Sequence, residues 1–127
     1  MKQSLTPAPL MSLILKEVYK HYEIHLESEE MDKKKRLANK VSCFIALDIM
    51  IGNKVKDICL PLHITPKLYS AYVGEIRMVR ITDKQLNDSI NSIKLNVLTT
   101  ALMNDKYKQF LSSASKKTNI NYLQIQN

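Results

Sequence analysis

The chain has 127 residues, 45% of them hydrophobic and 24% charged, which suits one domain with its own core and leaves little room for a second. Two glycines and four prolines are too few for the tight turns of a small sheet protein, so helices joined by short connections are expected. Nineteen Lys and Arg against twelve Asp and Glu give a net charge of +7, which favours polyanionic partners, and two cysteines exclude a disulfide-built extracellular scaffold.

Residues 1–9 contain Pro7 and Pro9 and read as an irregular arm. Leu10, Ile14, Val18 and Tyr22 then recur at fourfold spacing with Met11 and Leu15 beside them, the pattern of an amphipathic helix of about three turns. An acidic connection, Glu27 to Asp32, leads to a second helix over about Lys33–Ile51 with Leu37, Val41, Phe44, Ile45 and Ile49 inward. Gly52 stops it, and Asn53 is placed to cap the third element, Lys54 to about Leu60, whose inward residues are Val55, Ile58 and Cys59. Pro61 marks its end.

Thr65-Pro66 is a strong start signal, a preferred cap followed by a residue pre-set for helix φ. It opens a fourth helix to about Arg80, with Tyr69, Tyr72, Val73, Ile76 and Val79 inward. Thr82 and Gln85 stand at capping-box spacing before a fifth helix carrying Leu86, Ile90, Ile93, Val97, Leu98, Ala101 and Leu102. Asn104-Asp105 open a short sixth helix with Tyr107, Phe110 and Leu111, and residues 115–127 are a polar tail. The expectation is an all-α bundle of five to six helices: an arm over 1–9, a helical domain over 10–103, and a C-terminal helix and tail over 104–127.

The charge is uneven. Residues 1–32 hold three cations and six carboxylates, a net of −3, whereas residues 33–80 hold ten cations and three carboxylates, a net of +7. That basic centre coincides with a short helix, a turn and a longer helix with a strong N-terminal signal, which is the helix-turn-helix arrangement. In DNA-binding versions the second helix enters the major groove by its N-terminal part. The residues left outward on the fourth helix are Lys67, Ser70, Ala71, Gly74 and Arg77, small in the middle and basic at both ends. Small side chains let a backbone approach a groove, and a mid-helix glycine otherwise costs about 1 kcal/mol. Packing of Gly74 under a neighbouring helix is the alternative. Lys67 and Ser70 are in reach of base edges or phosphates, Arg77 and Arg80 lie nearer the backbone, and the free N–H groups beyond Thr65 suit a phosphate. Lys33, Lys34, Lys35 and Arg36 sit at a helix start, where cations oppose the macrodipole. Together with Lys54 and Lys56 they are candidates for phosphate contacts.

The order of these features resembles the C-terminal DNA-binding domain of the bacterial replication initiator DnaA. The likeness is carried by Tyr22-Glu23-Ile24 at the end of the first helix, the basic stretch Lys33 to Arg36, and the apolar helix from Val41 to Ile51. Val55-Lys56-Asp57-Ile58 matches the Leu-x-x-Ile of the short helix, and Leu86 to Leu98 the closing helix. It spans roughly residues 10–98. The resemblance implies a helix-turn-helix fold and binding of double-stranded DNA in replication initiation or transcription regulation. The sequence departs from the family at the recognition helix. There Ile64-Thr65-Pro66-Lys67-Leu68-Tyr69 stands in place of Arg-Asp-His-Thr-Thr-Val, and Cys59 replaces a glycine. The family's standard DNA box is therefore not implied.

Other chemistry finds little support. His21 and His25 have the spacing of a zinc pair without a third ligand nearby, and nothing orients Cys43, Cys59 or His63 for nucleophilic work. No enzyme activity, cofactor or metal is expected, and no aromatic platform for unstacked RNA bases is evident. The apolar run over 8–15 passes straight into Lys16-Glu17 without a cleavage site and is too short to span a bilayer, so a cytoplasmic protein is expected. The rival to DNA binding is a helical protein–protein adaptor without DNA binding, in which Tyr and Met residues form an exposed apolar patch.

Overall fold

The computed structural model describes residues 6–24 and 32–117. The acidic stretch 27–31, His25 and the residues after 117 lie outside them. Seven α-helices follow in order: α1 Ala8–His21, α2 Asp32–Ile49, α3 Val55–Cys59, α4 Pro66–Thr82, α5 Lys84–Leu102, α6 Asp105–Lys108 and α7 Ser113–Lys116, with a 3-10 turn over Leu60–Leu62 between α3 and α4. No strand forms among the described residues. The fold is all-α, with α7 added to the five or six helices expected.

The amphipathic stripes assemble the core. Helix α1 lies centrally, against α2, α5, α6 and the turn after α3. Its Leu10, Met11, Ile14 and Val18 are fully buried, and the Tyr19 hydroxyl donates to Asn39 Oδ1 of α2 at 3.0 Å. From α5, every residue of the expected stripe from Leu86 to Leu102 is buried. The broadest packing joins α2 to α4. Along it Leu37 lines a surface groove with Val79, Lys40 pairs with Glu75 at 2.6 Å, and Cys43 lies near Tyr69. Numbers rise on one helix as they fall on the other, so the two run in opposing senses.

Several local details differ from expectation. Helix α1 begins at Ala8 and takes Pro9 into its first turn, where a missing N–H costs nothing. Asn53 does not cap α3: Lys54 is the boundary residue, and the Asn53 amide instead donates to the carbonyls of Met50 and Phe110, both at 2.8 Å. Gly52, at φ +104°, makes the reversal that frees it for this. The α4–α5 junction is tighter than a capping box. Helix α4 runs on through Thr82, and Asp83 caps α5 by accepting from the Leu86 amide at 2.9 Å. Val55 and Val79, both expected inward, are 41% and 40% exposed.

The C-terminal part of the core is pinned. The Ser112 amide donates to the last helical carbonyl of α2, Ile49, at 2.6 Å. Ser112 also caps α7 through the Ser115 amide at 3.1 Å. Leu111, expected inward on the sixth helix, is buried, and Ser115, the first residue of the expected polar tail, is buried with Ser112 beside it.

Where α2, α3 and α4 meet, Cys43, Cys59 and Tyr69 form a buried cluster. Burial pushes the Cys43 thiol up to about 12. The Tyr69 phenol rises to about 12 as well, through burial and then its two thiol neighbours. Both groups stay protonated in the folded chain after the unfolded chain has begun to ionise near pH 9–10. The unfolded state then binds fewer protons, so stability is expected to fall as pH rises from about 9 to about 12. Each group contributes a slope of up to about 1.4 kcal/mol per pH unit. Urea unfolding at pH 8, 9.5 and 11 measures it, and Cys43→Ala should flatten the slope.

Candidate nucleic-acid interface

Helix α4 owes its start to Thr65. That residue is extended, at φ −86° and ψ 157°, and its hydroxyl accepts from the Leu68 amide at 3.1 Å. The approach to it is set by His63, held in the left-handed region at φ 57°. His63 closes the turn with its amide on the Leu60 carbonyl at 3.1 Å. Asn and His are among the residues that tolerate this conformation outside glycine, and the sequence reading did not foresee it. The short helix α3 packs against α4, and Ile58 and Cys59 are buried.

Tyr69, Val73 and Ile76 point inward from α4. Lys67, Ser70, Ala71 and Arg77 are exposed and Gly74 is half-buried. Positions 67, 70, 71, 74 and 77 are three or four apart, so they share one side of the helix. The two readings of Gly74 can now be separated. A Cβ built there meets nothing within 4 Å. No neighbouring helix demands a glycine, and its φ is not in the left-handed region. Gly74→Ala is therefore expected to stabilise the protein by about 1 kcal/mol through helix propensity alone, measurable as a higher urea midpoint at unchanged slope.

The other candidate cations divide into groups. Lys54 and Lys56, at the α3 boundary, are exposed on the same end of the molecule as Thr65 and Lys67. Lys33, Lys34 and Arg36 are exposed and Lys35 is half-buried, at the start of α2. Because α2 and α4 run in opposing senses, this run lies toward the C-terminal end of α4. At 1.5 Å per residue it stands about 20 Å from Lys67 along the helix. The cations form two flanks with the small-residue strip between them, not one patch.

Arg80 behaves differently from the rest. It is half-buried, its Nη1 donates to Asn87 Oδ1 of α5 at 3.2 Å, and its guanidinium lies 5.2 Å from the Phe44 ring centre. Its Nε is buried without a hydrogen-bond partner. These ties make Arg80 a brace among α2, α4 and α5 rather than a freely presented cation. Its spacing, four residues after Ile76 and seven after Val73, puts it in register with the buried side of α4, although its partners come from other helices.

The same side of α4 continues past Gly74 into Met78 and Ile81, which are 69% and 73% exposed. Sequence reasoning had not singled them out. Among the described residues, no three His, Cys, Asp or Glu side chains are grouped to hold a metal ion, and no helix is long and apolar enough to cross a membrane. No family model, no curated protein and no solved structure matches the chain.

Proposed function

We propose that this protein binds double-stranded DNA, with α3, the turn and α4 acting as a helix-turn-helix and α4 as the groove-facing helix. The observation that carries this reading is Gly74. A glycine in mid-helix, on a basic strip of small side chains, has no packing reason to be there. Close approach of a backbone-sized partner supplies one. In this reading Lys67 and Ser70 face base edges, and Ala71 and Gly74 admit the helix into the groove. Arg77, with Lys54 and Lys56 at one flank and the Lys33–Arg36 run at the other, meets phosphates. The flanks, about 20 Å apart along α4, would place cations toward both ends of the groove-facing helix, where it meets phosphates. The Thr65 end of α4 adds amide N–H groups for a phosphate. Replication initiation or transcription regulation would be the setting.

A salt titration tests the proposal. Binding to a random-sequence duplex should weaken steeply between 50 and 200 mM salt, with a log–log slope of about −0.9 per phosphate contacted. Absence of duplex binding at 50 mM salt would remove the proposal.

A second reading, a protein–protein adaptor that does not bind DNA, is favoured by the exposure of Met78 and Ile81. Apolar side chains on the outward side of α4 gain nothing from phosphates. Under that reading Met78→Glu abolishes association with a protein partner, and the duplex titration stays flat.

A further inference from the structure

Helices α2, α4, α5 and α7 enclose a surface groove of about 530 Å³ on the side of α2 that carries Phe44 and Leu47. Its walls depend on the C-terminal pin, since Ser112 and Ala114 form one edge. Phe44, Leu47, Ile51 and Ile90 make an apolar floor, and Ile51, just past the end of α2, is 66% exposed. The rim is cationic. Among the described residues, Arg77, Arg80 and Lys94 stand around it against one carboxylate, Asp48.

The charges on that rim are not equivalent. Lys94 is bonded to Asp48, so those two offset each other. Arg80 is fixed by Asn87 and by the Phe44 ring, so its planar group is ordered, and it has no carboxylate partner among the described residues. Arg77 is exposed and has no carboxylate partner among the described residues. The net result is a groove of mixed lining, with an apolar floor and two guanidinium groups at its edge that have no carboxylate partner among the described residues. A guanidinium pairs a carboxylate through two parallel hydrogen bonds, and an ordered one loses little rotamer freedom in doing so. A nucleic acid offers phosphates but no aliphatic side chain for Ile51 and Leu47. A neutral apolar segment leaves both arginines unanswered.

We propose that this groove docks a segment of a partner protein in which acidic residues flank a bulky apolar one. The apolar side chain sits over Leu47 and Ile51, and a neighbouring carboxylate reaches Arg77. Charge complementarity selects the partner, and the apolar floor supplies the contact area. This proposal does not rest on DNA binding: Arg77 is shared with the phosphate contacts above, but the floor residues Leu47 and Ile51 lie outside the strip of α4 assigned to the duplex.

The probe is a fluorescein-labelled hexapeptide, Glu-Leu-Glu-Glu-Phe-Leu, titrated into the full chain at low salt. Binding is read by anisotropy and mapped by amide chemical shifts. Shifts should concentrate at Ile51, Ile90 and Asn91. Replacing the three peptide glutamates by glutamine, or the protein's Ile51 by Asp, should each weaken binding by about tenfold or more. Ile51→Ala, which leaves the charge unaltered, should give a smaller loss in the same direction. Ile51→Asp should leave duplex binding within about twofold of the unaltered protein, so failure here and failure of the DNA proposal are separate results. The proposal is overturned if the shifts map to Lys33–Arg36 or Lys67, which marks a general attraction between acid and base. It is equally overturned if Ile51→Asp binds the peptide as tightly as the unaltered chain.

Discussion

Replacing Ile14 by Ala is expected to lower the free energy of unfolding by about 2–5 kcal/mol, read by urea denaturation as a lower midpoint with little change in slope. The side chain is fully buried, on a helix that packs against α2, α5 and α6 at once. Deleting three carbon atoms there loses their transfer free energy and leaves a cavity. Three helices held by other contacts cannot easily close on it. Against a total stability of about 5–15 kcal/mol for a domain, such a loss is a large share. The same truncation at Ile81, 73% exposed, should change stability by no more than about 0.5 kcal/mol. The pair of variants separates core from surface with one residue type. Equal losses at the two sites would contradict the placement of α1 at the centre.

The second large effect concerns the duplex. Lys67→Glu is expected to weaken binding by about 10- to 100-fold at 50 mM salt, with the log–log salt slope reduced by about 1. Lys67 is exposed in the first turn of α4. There a carboxylate replaces a cation at the point where a groove-facing helix comes nearest to the polyanion. The substitution should not unfold the chain, because a carboxylate in the first turn of a helix is favourable by about 0.3–1 kcal/mol. Loss of affinity alongside equal or higher stability is therefore the expected signature. A variant that keeps its affinity would show that the N-terminal part of α4 does not meet DNA. Arg36→Glu, at the other flank, should reduce the slope similarly while sparing any sequence preference, since phosphate contacts carry no base information.

The helices were legible in the sequence where their periodicity ran unbroken and their starts had chemical markers. Helix α5 is the clearest case, because its apolar positions recur for five turns and each of them is buried. Thr65-Pro66 and Asn104 marked helix starts that the side-chain caps then bear out. Legibility failed where a residue's fate depends on a distant partner. Val79 fits the stripe of α4 by spacing, yet it lies at the edge of an open surface groove beside Leu37 and is 40% exposed. Asn53 has the composition of a helix cap, but the Phe110 carbonyl, fifty-seven residues away, claims its amide. Ser115 looks like the start of a polar tail, and only the Ser112 bond to the Ile49 carbonyl and the Ser112 cap of α7 explain why serines are buried there.

The candidate site divides along the same line. Exposure of Lys67, Ser70, Ala71 and Arg77 follows from helical spacing, since the side opposite Tyr69, Val73 and Ile76 must face away from the core. That Arg80 is a brace does not follow from spacing, because Asn87 and Phe44 belong to other helices. The groove beside Arg77 was not legible at all. It exists because α7 is folded back onto the end of α2, and short polar helices leave almost no periodic signal.

That folding-back has a consequence for how the chain is made. The end of α2 is completed by groups that emerge from synthesis about sixty residues later: the Ser112 amide for Ile49, and the Phe110 carbonyl for Asn53. At about 5–20 residues per second, the Ile49 carbonyl waits for several seconds while α3, α4 and α5 are still being added. During that interval α1 and the body of α2 can meet, but the C-terminal turn of α2 is open and its apolar neighbours are uncovered. The stretch from Phe110 to Ser115 is thus a latch that closes the end of α2 only after α3, α4 and α5 have been made.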